Sequence, residues 1–154
     1  INLEGTVKGK KIYFEDLDII CRKLFKVHKN IQIIVLSTPS NFQSVEKVII
    51  KMGLNYVEAG YKTNTVMDAA ALINHLDLII TPDTSIAHIA SAYNKPVVTI
   101  HENNQDSYEL FAPVSELNRT VFSKSTNSLN GFSLDELIFH SSELIELSQK
   151  EKNE

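Results

Sequence analysis

The sequence predicts an α/β fold in which a doubly wound, mostly parallel sheet carries helices on both faces. Short runs of β-branched residues alternate with segments whose apolar residues recur at helical spacing. Apolar runs of this kind are typical of strands that are buried on both faces. The chain has 154 residues, of which 43% are hydrophobic and 22% charged. These values fit one globular domain, so we expect a single domain over residues 1–154.

The predicted strands are short and fall into two groups. The stronger candidates are Ile31–Leu36, Leu78–Thr81, Val97–Ile100 and Thr120–Phe122, and the weaker ones are Ile1–Glu4 and Asn55–Val57. In open sheets of this class, ligands bind beyond the carboxyl ends of the strands. We therefore expect the functional site in the loops that follow these runs.

Helices are predicted between the strands from apolar stripes and capping signals. One stripe comprises Leu17, Ile20, Cys21 and Leu24; a second comprises Ile86, Ile89, Ala90 and Tyr93; a third comprises Leu134, Leu137, Ile138, Ser141, Leu144 and Ile145. Ser133 with Glu136, and Thr65 with Asp68, match the spacing of a capping box. The stretch Glu102–Asn118 is predicted to be a long irregular loop, and the polar residues 149–154 a frayed tail.

Charge and cysteine content exclude several classes of protein. A net charge of -4 disfavours general nucleic-acid binding. Cys21 is the only cysteine, so no intramolecular disulfide can form, and a structural zinc site is disfavoured. No signal peptide is visible, and no apolar run approaches the roughly 20 residues of a membrane span, which favours a cytoplasmic setting. Because the chain begins at Ile1 rather than Met, we expect it to be a piece of a longer protein.

The strongest chemical signal is the stretch Thr81–His88, which leaves a buried strand and enters a helix. Asp83 or Thr84 can cap that helix, and the free N–H groups of its first turn can bind an anion. His88 follows Thr84 by four residues on the same helix face, so it is expected to point toward the mouth of the site. The alternative is that Asp83 and Thr84 are only caps and that His88 is a surface or half-buried histidine.

A second signal is the basic loop Gly5–Lys11 after the first predicted strand. It fails the phosphate-loop pattern, because three residues rather than four separate the glycines and Lys11 stands where Ser or Thr is required. A lone basic loop is commonly only solvated. If the first segment lies beside Leu78–Thr81, its lysines can reach the same anion. No G-x-G-x-x-G motif is present, which disfavours a standard dinucleotide site.

The stretch Asp77–Val98, with its Asp-Thr-x-x-x-His core and the downstream Lys95-Pro96, resembles the signature of the bacterial heptosyltransferase-like glycosyltransferases, glycosyltransferase family 9. The resemblance covers roughly Ile1 to Pro113. It implies a GT-B fold of two Rossmann-like domains, of which this chain would be the C-terminal, donor-binding one. The implied reaction is inverting transfer from a nucleotide sugar, commonly ADP-heptose, without an obligatory metal or a cofactor.

The resemblance also implies partners and a location. The acceptor would be lipid-linked or a glycan, and it would be bound by an N-terminal domain that also supplies the catalytic base. The family builds the inner core of lipopolysaccharide at the cytoplasmic face of the bacterial inner membrane, which implies a peripheral association of the full protein. We expect this chain alone to bind a donor without turning it over.

The matched motif implies roles for individual residues. Those implied to hold the donor diphosphate are Asp83, Thr84, Ser85, Ile86 and His88, together with Lys10 or Lys11 from the basic loop. Lys10 would stabilise the departing nucleoside diphosphate electrostatically. Thr63 and Asn64 fall where the family contacts the nucleoside.

The sequence departs from the family pattern at several positions. Ser85 replaces a glycine, Ile12 and Tyr13 stand where a tryptophan is usual, and His101, Glu102 and Asn103 replace Gly-Pro-Thr. A side chain at position 85 narrows the room for a phosphate. These departures support an alternative from another class, a non-catalytic Rossmann-like module that has lost sugar-nucleotide activity.

Overall fold

The computed structural model describes residues 1–5 and 9–151 and shows helices and strands in alternation. The elements, in chain order, are α1 (Phe14–Val27), β1 (Ile33–Val35), α2 (Phe42–Met52), β2 (Val57–Ala59), α3 (Val66–Asn74), β3 (Ile79–Pro82), α4 (Ser85–Ala92), β4 (Val97–His101), α5 (Gln105–Phe111), β5 (Asn118–Phe122) and α6 (Leu134–Glu151). No helix in these two ranges is long and apolar enough to cross a membrane.

The first segment, Ile1–Glu4, joins two parallel groups of strands. On one side β1 pairs with β2, and on the other β3 pairs with β4 and β4 with β5. Asn2 N donates to Ile80 O at 2.8 Å, and Leu3 N donates to Leu36 O at 3.1 Å. The order across the molecule is therefore β2, β1, Ile1–Glu4, β3, β4, β5. With the first segment counted as a strand, this is the 3-2-1-4-5-6 order of doubly wound folds, whose ligands bind where the order reverses.

Helices cover both faces of this layer and bury its apolar side chains. The larger core cluster includes the predicted stripe of α1 and also takes Leu137 and Leu144 from α6. The smaller cluster joins Ile73 of α3 and Ala90 of α4 to β3 and β4. Cys21 lies in the larger cluster, where burial raises the pKa of its thiol to about 11. The predicted fold class and the four stronger strands are confirmed.

Three predicted elements differ from the structure. Ile1–Glu4 forms only isolated bridges, from Asn2 to Leu36 and from Glu4 to Lys11. The strand expected at Asn55–Val57 is β2, which begins at Val57. The stretch expected to be irregular contains α5, which has no buried residue and therefore no apolar stripe for the pattern to detect.

The structure describes only part of the predicted tail and only part of the basic loop. Residues 149–151 continue α6, and the rest of the expected frayed tail, residues 152–154, lies outside the described residues. Residues 6–8 of the basic loop also lie outside them.

Candidate functional site

A cleft of about 440 Å³ opens at the carboxyl edge of the sheet, where the strand order reverses. It is lined by Asn2, Glu4, Gly5, Ser37, Thr38, Pro39, Thr63, Asn64, Thr65, Val66, Ala69, Asp83, Thr84, Ser85 and Ile86. These residues come from the first segment and Gly5, from the loops after β1, β2 and β3, and from the first turns of α3 and α4. The cleft therefore lies where the sheet order predicts a ligand site.

The N-terminus of α4 forms one wall of the cleft. Thr84 has an extended backbone, and its Oγ1 accepts a hydrogen bond from Ile86 N at 3.3 Å. The first turn of α4 contains no acidic residue. The positive end of the helix dipole is therefore not offset by a carboxylate in that turn, and it favours an anion.

A buried amide holds Thr84 in place. Asn2 Nδ2 lies 3.0 Å from Thr81 Oγ1, 3.3 Å from Thr84 Oγ1 and 3.1 Å from the carbonyl oxygen of Glu4. Asn2 is only 2% exposed, so these polar contacts replace those that water would otherwise provide. The amide thus fixes the first segment against the turn that enters α4.

A charged cluster lies beside the same turn. Lys10 Nζ is 2.6 Å from Asp83 Oδ2 and 3.7 Å from Glu102 Oε1, and all three side chains are mostly buried. His101 is fully buried, and its Nε2 has no hydrogen-bond partner among the described residues. Burial lowers the pKa of His101, Lys10 and His88 lower it further, and Asp83 opposes them.

The opposite wall carries a second helix N-terminus. Thr65 caps α3 in the predicted capping box: its Oγ1 accepts from Asp68 N at 3.3 Å, and Asp68 Oδ2 accepts from Thr65 N at 2.9 Å. Asp68 Oδ2 also accepts from Asn64 N at 2.9 Å. Thr63 and Asn64 enter the cleft just before this cap.

Between the two walls lies a carboxylate. Glu4 Oε1 accepts from Thr38 Oγ1 at 3.0 Å and from Asn41 Nδ2 at 2.5 Å. Thr38 and Asn41 belong to the loop after β1, so these bonds tie that loop to the first segment. Among the described residues that line the cleft, Glu4 and Asp83 are the acidic ones and none is basic.

The structure brings together most of the residues predicted for the site. Asp83, Thr84, Ser85, Ile86, Thr63 and Asn64 line the one cleft, and Lys10 contacts Asp83 at its edge. The first segment lies beside β3, as required for its lysines to approach the turn. Whether any of these residues binds a phosphate or a nucleoside stays a prediction.

Two predicted residues stand apart from the cleft lining. Lys11 Nζ lies 4.6 Å from the centroid of the Tyr13 ring. His88 is exposed on α4, and its ring centroid lies 6.4 Å from that of Phe111.

Sequence reasoning missed Asn2 and Glu4 as site residues and gave His101 no role beyond a departure from the family pattern. A polar residue between two apolar ones, Ile1 and Leu3, is the available signal for Asn2. No metal-binding group of three or more His, Cys, Asp or Glu residues occurs in ranges 1–5 and 9–151.

Comparison with known proteins places the chain in a family. The sequence profile of glycosyltransferase family 9 (heptosyltransferase) matches residues 22–134. A protein of Escherichia coli (strain K12) named "Putative lipopolysaccharide heptosyltransferase 4" is 28% identical over 105 residues, which are 68% of this chain and 27% of that protein. The chain thus spans about a quarter of that curated relative.

Solved structures share the fold. E. coli ADP-heptose lps heptosyltransferase II superposes with a TM-score of 0.77 at 14% identity, over 96% of this chain and 46% of that one. E. coli heptosyltransferase WaaC with ADP superposes with a TM-score of 0.73 at 17% identity, over 96% of this chain and 43% of that one. The glycosyl transferase family 9 protein from Veillonella parvula DSM 2008 superposes with a TM-score of 0.72 at 16% identity, over 93% of this chain and 44% of that one. With the profile match spanning most of the sequence, the chain belongs to glycosyltransferase family 9.

Proposed function

We propose that this chain binds the nucleotide-sugar donor, with an ADP-sugar favoured, of an inverting glycosyltransferase that acts in lipopolysaccharide or related surface-glycan synthesis. One observation carries the proposal: a single cleft joins the N-terminus of α4 to the Thr63–Asn64 loop. A nucleoside diphosphate has an anionic end and a polar, uncharged end, and the two walls of the cleft match that division.

The anionic end of the donor is assigned to α4. Thr84 and the first-turn N–H groups would bind the diphosphate, with the helix dipole favouring its charge. Lys10 Nζ lies 2.6 Å from Asp83 Oδ2, so its positive charge would be close to a phosphate bound at the same turn. In transfer, this positive charge would stabilise the departing nucleoside diphosphate without any proton transfer from the chain.

The nucleotide class is supported by two solved structures that share the fold. One is E. coli heptosyltransferase WaaC with ADP, and the other is the same protein with ADP-2-deoxy-2-fluoro heptose. The same protein family and the same fold in this chain support an ADP-sugar as the first donor to test.

The acceptor and the catalytic base are assigned to parts of the protein beyond this chain. Since the chain covers under half of each of the three solved structures, a second domain would bind a lipid-linked or glycan acceptor. We expect the chain alone to bind the donor without transfer. The full protein would act in the cytoplasm, peripherally associated with the inner face of the bacterial inner membrane.

A second candidate is a non-catalytic module that has lost its ligand. The observation that favours it is the pairing of Lys10 with two carboxylates, Asp83 and Glu102, which leaves the cluster with excess negative charge. Ser85, in the position where the family has glycine, adds a side chain at the helix N-terminus.

Calorimetric titration with ADP, UDP, GDP and CMP separates the two candidates. We expect saturable binding of ADP, weakened about tenfold by Lys10→Ala and less by His88→Ala, because the lysine stands beside the phosphate turn. Lys47→Ala on the exposed face of α2 is the matched control. Absence of binding by all four nucleotides to the folded chain would favour the ligand-free module.

A further inference from the structure

We infer that His101 is a positioning residue of the donor site: when a diphosphate draws Lys10 away from Asp83, His101 takes up a proton and replaces the lysine as the cation beside that carboxylate. This inference rests on the proposed function and couples the binding step to a proton. His101 stands where the family pattern has glycine, so the imidazole is a feature of this chain rather than of that pattern.

The register of the sheet brings His101 and Asp83 side by side. Pro82 pairs with Ile100 in the parallel ladder of β3 and β4, and Asp83 N donates to Ile100 O at 3.0 Å, so the pairing continues one residue beyond β3. Paired residues on neighbouring strands present their side chains to the same face of the sheet. The imidazole and the carboxylate therefore share a face, on strands about 4.8 Å apart.

The imidazole is buried without a hydrogen bond that would fix its charge. His101 is 1% exposed, and its Nε2 has no partner among the residues that the structure describes. The ring of Tyr108 packs edge-on against it at 5.1 Å between centroids, and that of Phe122 lies at 6.3 Å. Buried polar atoms normally have a partner, so an orphaned nitrogen beside a charged cluster indicates a group that gains one in another state.

The ionisable groups around the ring keep it neutral near pH 7 in the free chain. Burial is the first cause that lowers the pKa of His101, and the positive charge of Lys10 lowers it further. His88 on α4 adds to this effect, and Asp83 opposes it. From α5 the phenol of Tyr108 faces the ring, and β5 presents an aromatic ring without charge.

The balance of charge favours an exchange of counter-ions when the ligand arrives. Lys10 Nζ lies 2.6 Å from Asp83 Oδ2 and 3.7 Å from Glu102 Oε1, so one cation serves two carboxylates. A diphosphate at the N-terminus of α4 attracts the lysine, and a mostly buried carboxylate that loses its cation is costly. The departing lysine no longer disfavours a charge on His101, and the phosphate favours one. The proton comes from water and binds at Nε2, and the resulting imidazolium pairs with Asp83.

Calorimetric titration of the 154-residue chain with ADP tests the inference. Repeating it at about pH 6.5 in buffers of different ionisation enthalpy measures the protons taken up on binding. We expect the wild-type chain to take up at least about half a proton more than His101→Gln, because this pH equals the ordinary pKa of an imidazole. The terminal phosphate of ADP also titrates near about pH 6, and both chains share that contribution. His75→Gln, at the exposed end of α3, is the matched control and should behave as the wild type.

A second variant tests the exchange itself. In Lys10→Ala the lysine is absent before ADP arrives, so the ligand has no cation to displace from Asp83. The proton uptake should therefore fall below the wild-type value, in addition to the weaker affinity. A purely structural role of His101 would leave the proton uptake the same in the wild type and in Lys10→Ala.

The proton count can overturn the inference without touching the donor site. Equal uptake by the wild type and His101→Gln would overturn the role of His101 and leave ADP binding in place. Should His101→Gln fail to fold, equal uptake by the wild type and Lys10→Ala would overturn it in the same way. Failure of ADP to bind to the folded wild-type chain would overturn the proposed function as well.

Discussion

Two helix N-termini face the same cleft, and they differ in the side chain that caps them. At α3, Asp68 accepts hydrogen bonds from the backbone N–H groups of Asn64 and Thr65, and these bonds lower the pKa of its carboxyl. At α4, the cap is the neutral hydroxyl of Thr84, and no acidic residue occupies the first turn. One helix has a carboxylate bonded to the N–H groups at its start, whereas the nearest carboxylate to the other, Asp83, is paired with Lys10.

The difference shows why a helix N-terminus alone does not identify an anion site. A carboxylate within the first turn already offsets the helix dipole and occupies free N–H groups. α3 is therefore stabilised as a structural element, whereas α4 keeps its capacity for an external anion. The neutral residues beside the α3 cap, Thr63 and Asn64, suit an uncharged part of a ligand.

The largest expected effect comes from making α4 resemble α3. Thr84→Asp places a carboxylate at the cap, and Asp caps helices as well as Thr does, so the fold should persist. Its charge would repel a diphosphate at close range, and we expect ADP affinity to fall about a hundredfold. Calorimetry with ADP measures this.

The matched control for that change is Ser133→Asp. Ser133 Oγ accepts from Glu136 N at the start of α6, away from the cleft, so the same charge is added at another cap. ADP affinity unchanged in Thr84→Asp would mean that the diphosphate binds elsewhere.

A smaller effect of opposite sign is expected at Glu102. Its carboxylate lies 3.7 Å from Lys10 and competes with a bound phosphate for that cation. Glu102→Gln removes the negative charge, and we expect ADP to bind about threefold more tightly. Glu109→Gln on the exposed face of α5 serves as the reference change. A weaker affinity in Glu102→Gln would show that Glu102 assists the ligand.

Substitution of Asp68 is expected to change ADP affinity least and to change thermal stability most clearly. The two backbone hydrogen bonds hold the pKa of its carboxyl below the ordinary value in the folded chain. A depressed carboxyl pKa stabilises the fold above the unfolded value and loses that contribution as the pH falls through the folded value. Asp68→Asn should therefore lower Tm at neutral pH and lower it less in acid.

Thermal unfolding at about pH 7 and about pH 3 measures this difference, on either side of the ordinary carboxyl pKa. Asp106→Asn provides the comparison, because Asp106 also stands in the first turn of a helix, α5. An equal loss of Tm at both pH values would contradict the role of the charged cap.

Much of this architecture could be predicted from local pattern. The buried stripe of α1, the capping box at Thr65 and the buried runs of β3 and β4 each follow from residues close in sequence. The turn Asp83–Ile86 could be predicted as part of a site for the same reason: a buried strand leads directly into a capped helix.

The missed features depend on contacts between distant residues. α5 has a local cap, Asn104, and it is attached to the sheet by Tyr108, whose ring packs edge-on against His101 at 5.1 Å between centroids. Glu4 is held in the cleft by the loop after β1, whose Thr38 donates to it from 34 positions away. Such tertiary contacts leave no periodic trace in sequence.

The amide of Asn2 has a consequence for how the molecule assembles. The amide contacts Thr84, which lies 82 positions further along the chain. The segment Ile1–Glu4 links the two-stranded group to the three-stranded group. Long-range pairing of this kind closes slowly, because the intervening chain loses much of its freedom first. The cleft should therefore be among the last regions to gain protection from hydrogen exchange during refolding, after the two strand groups have formed.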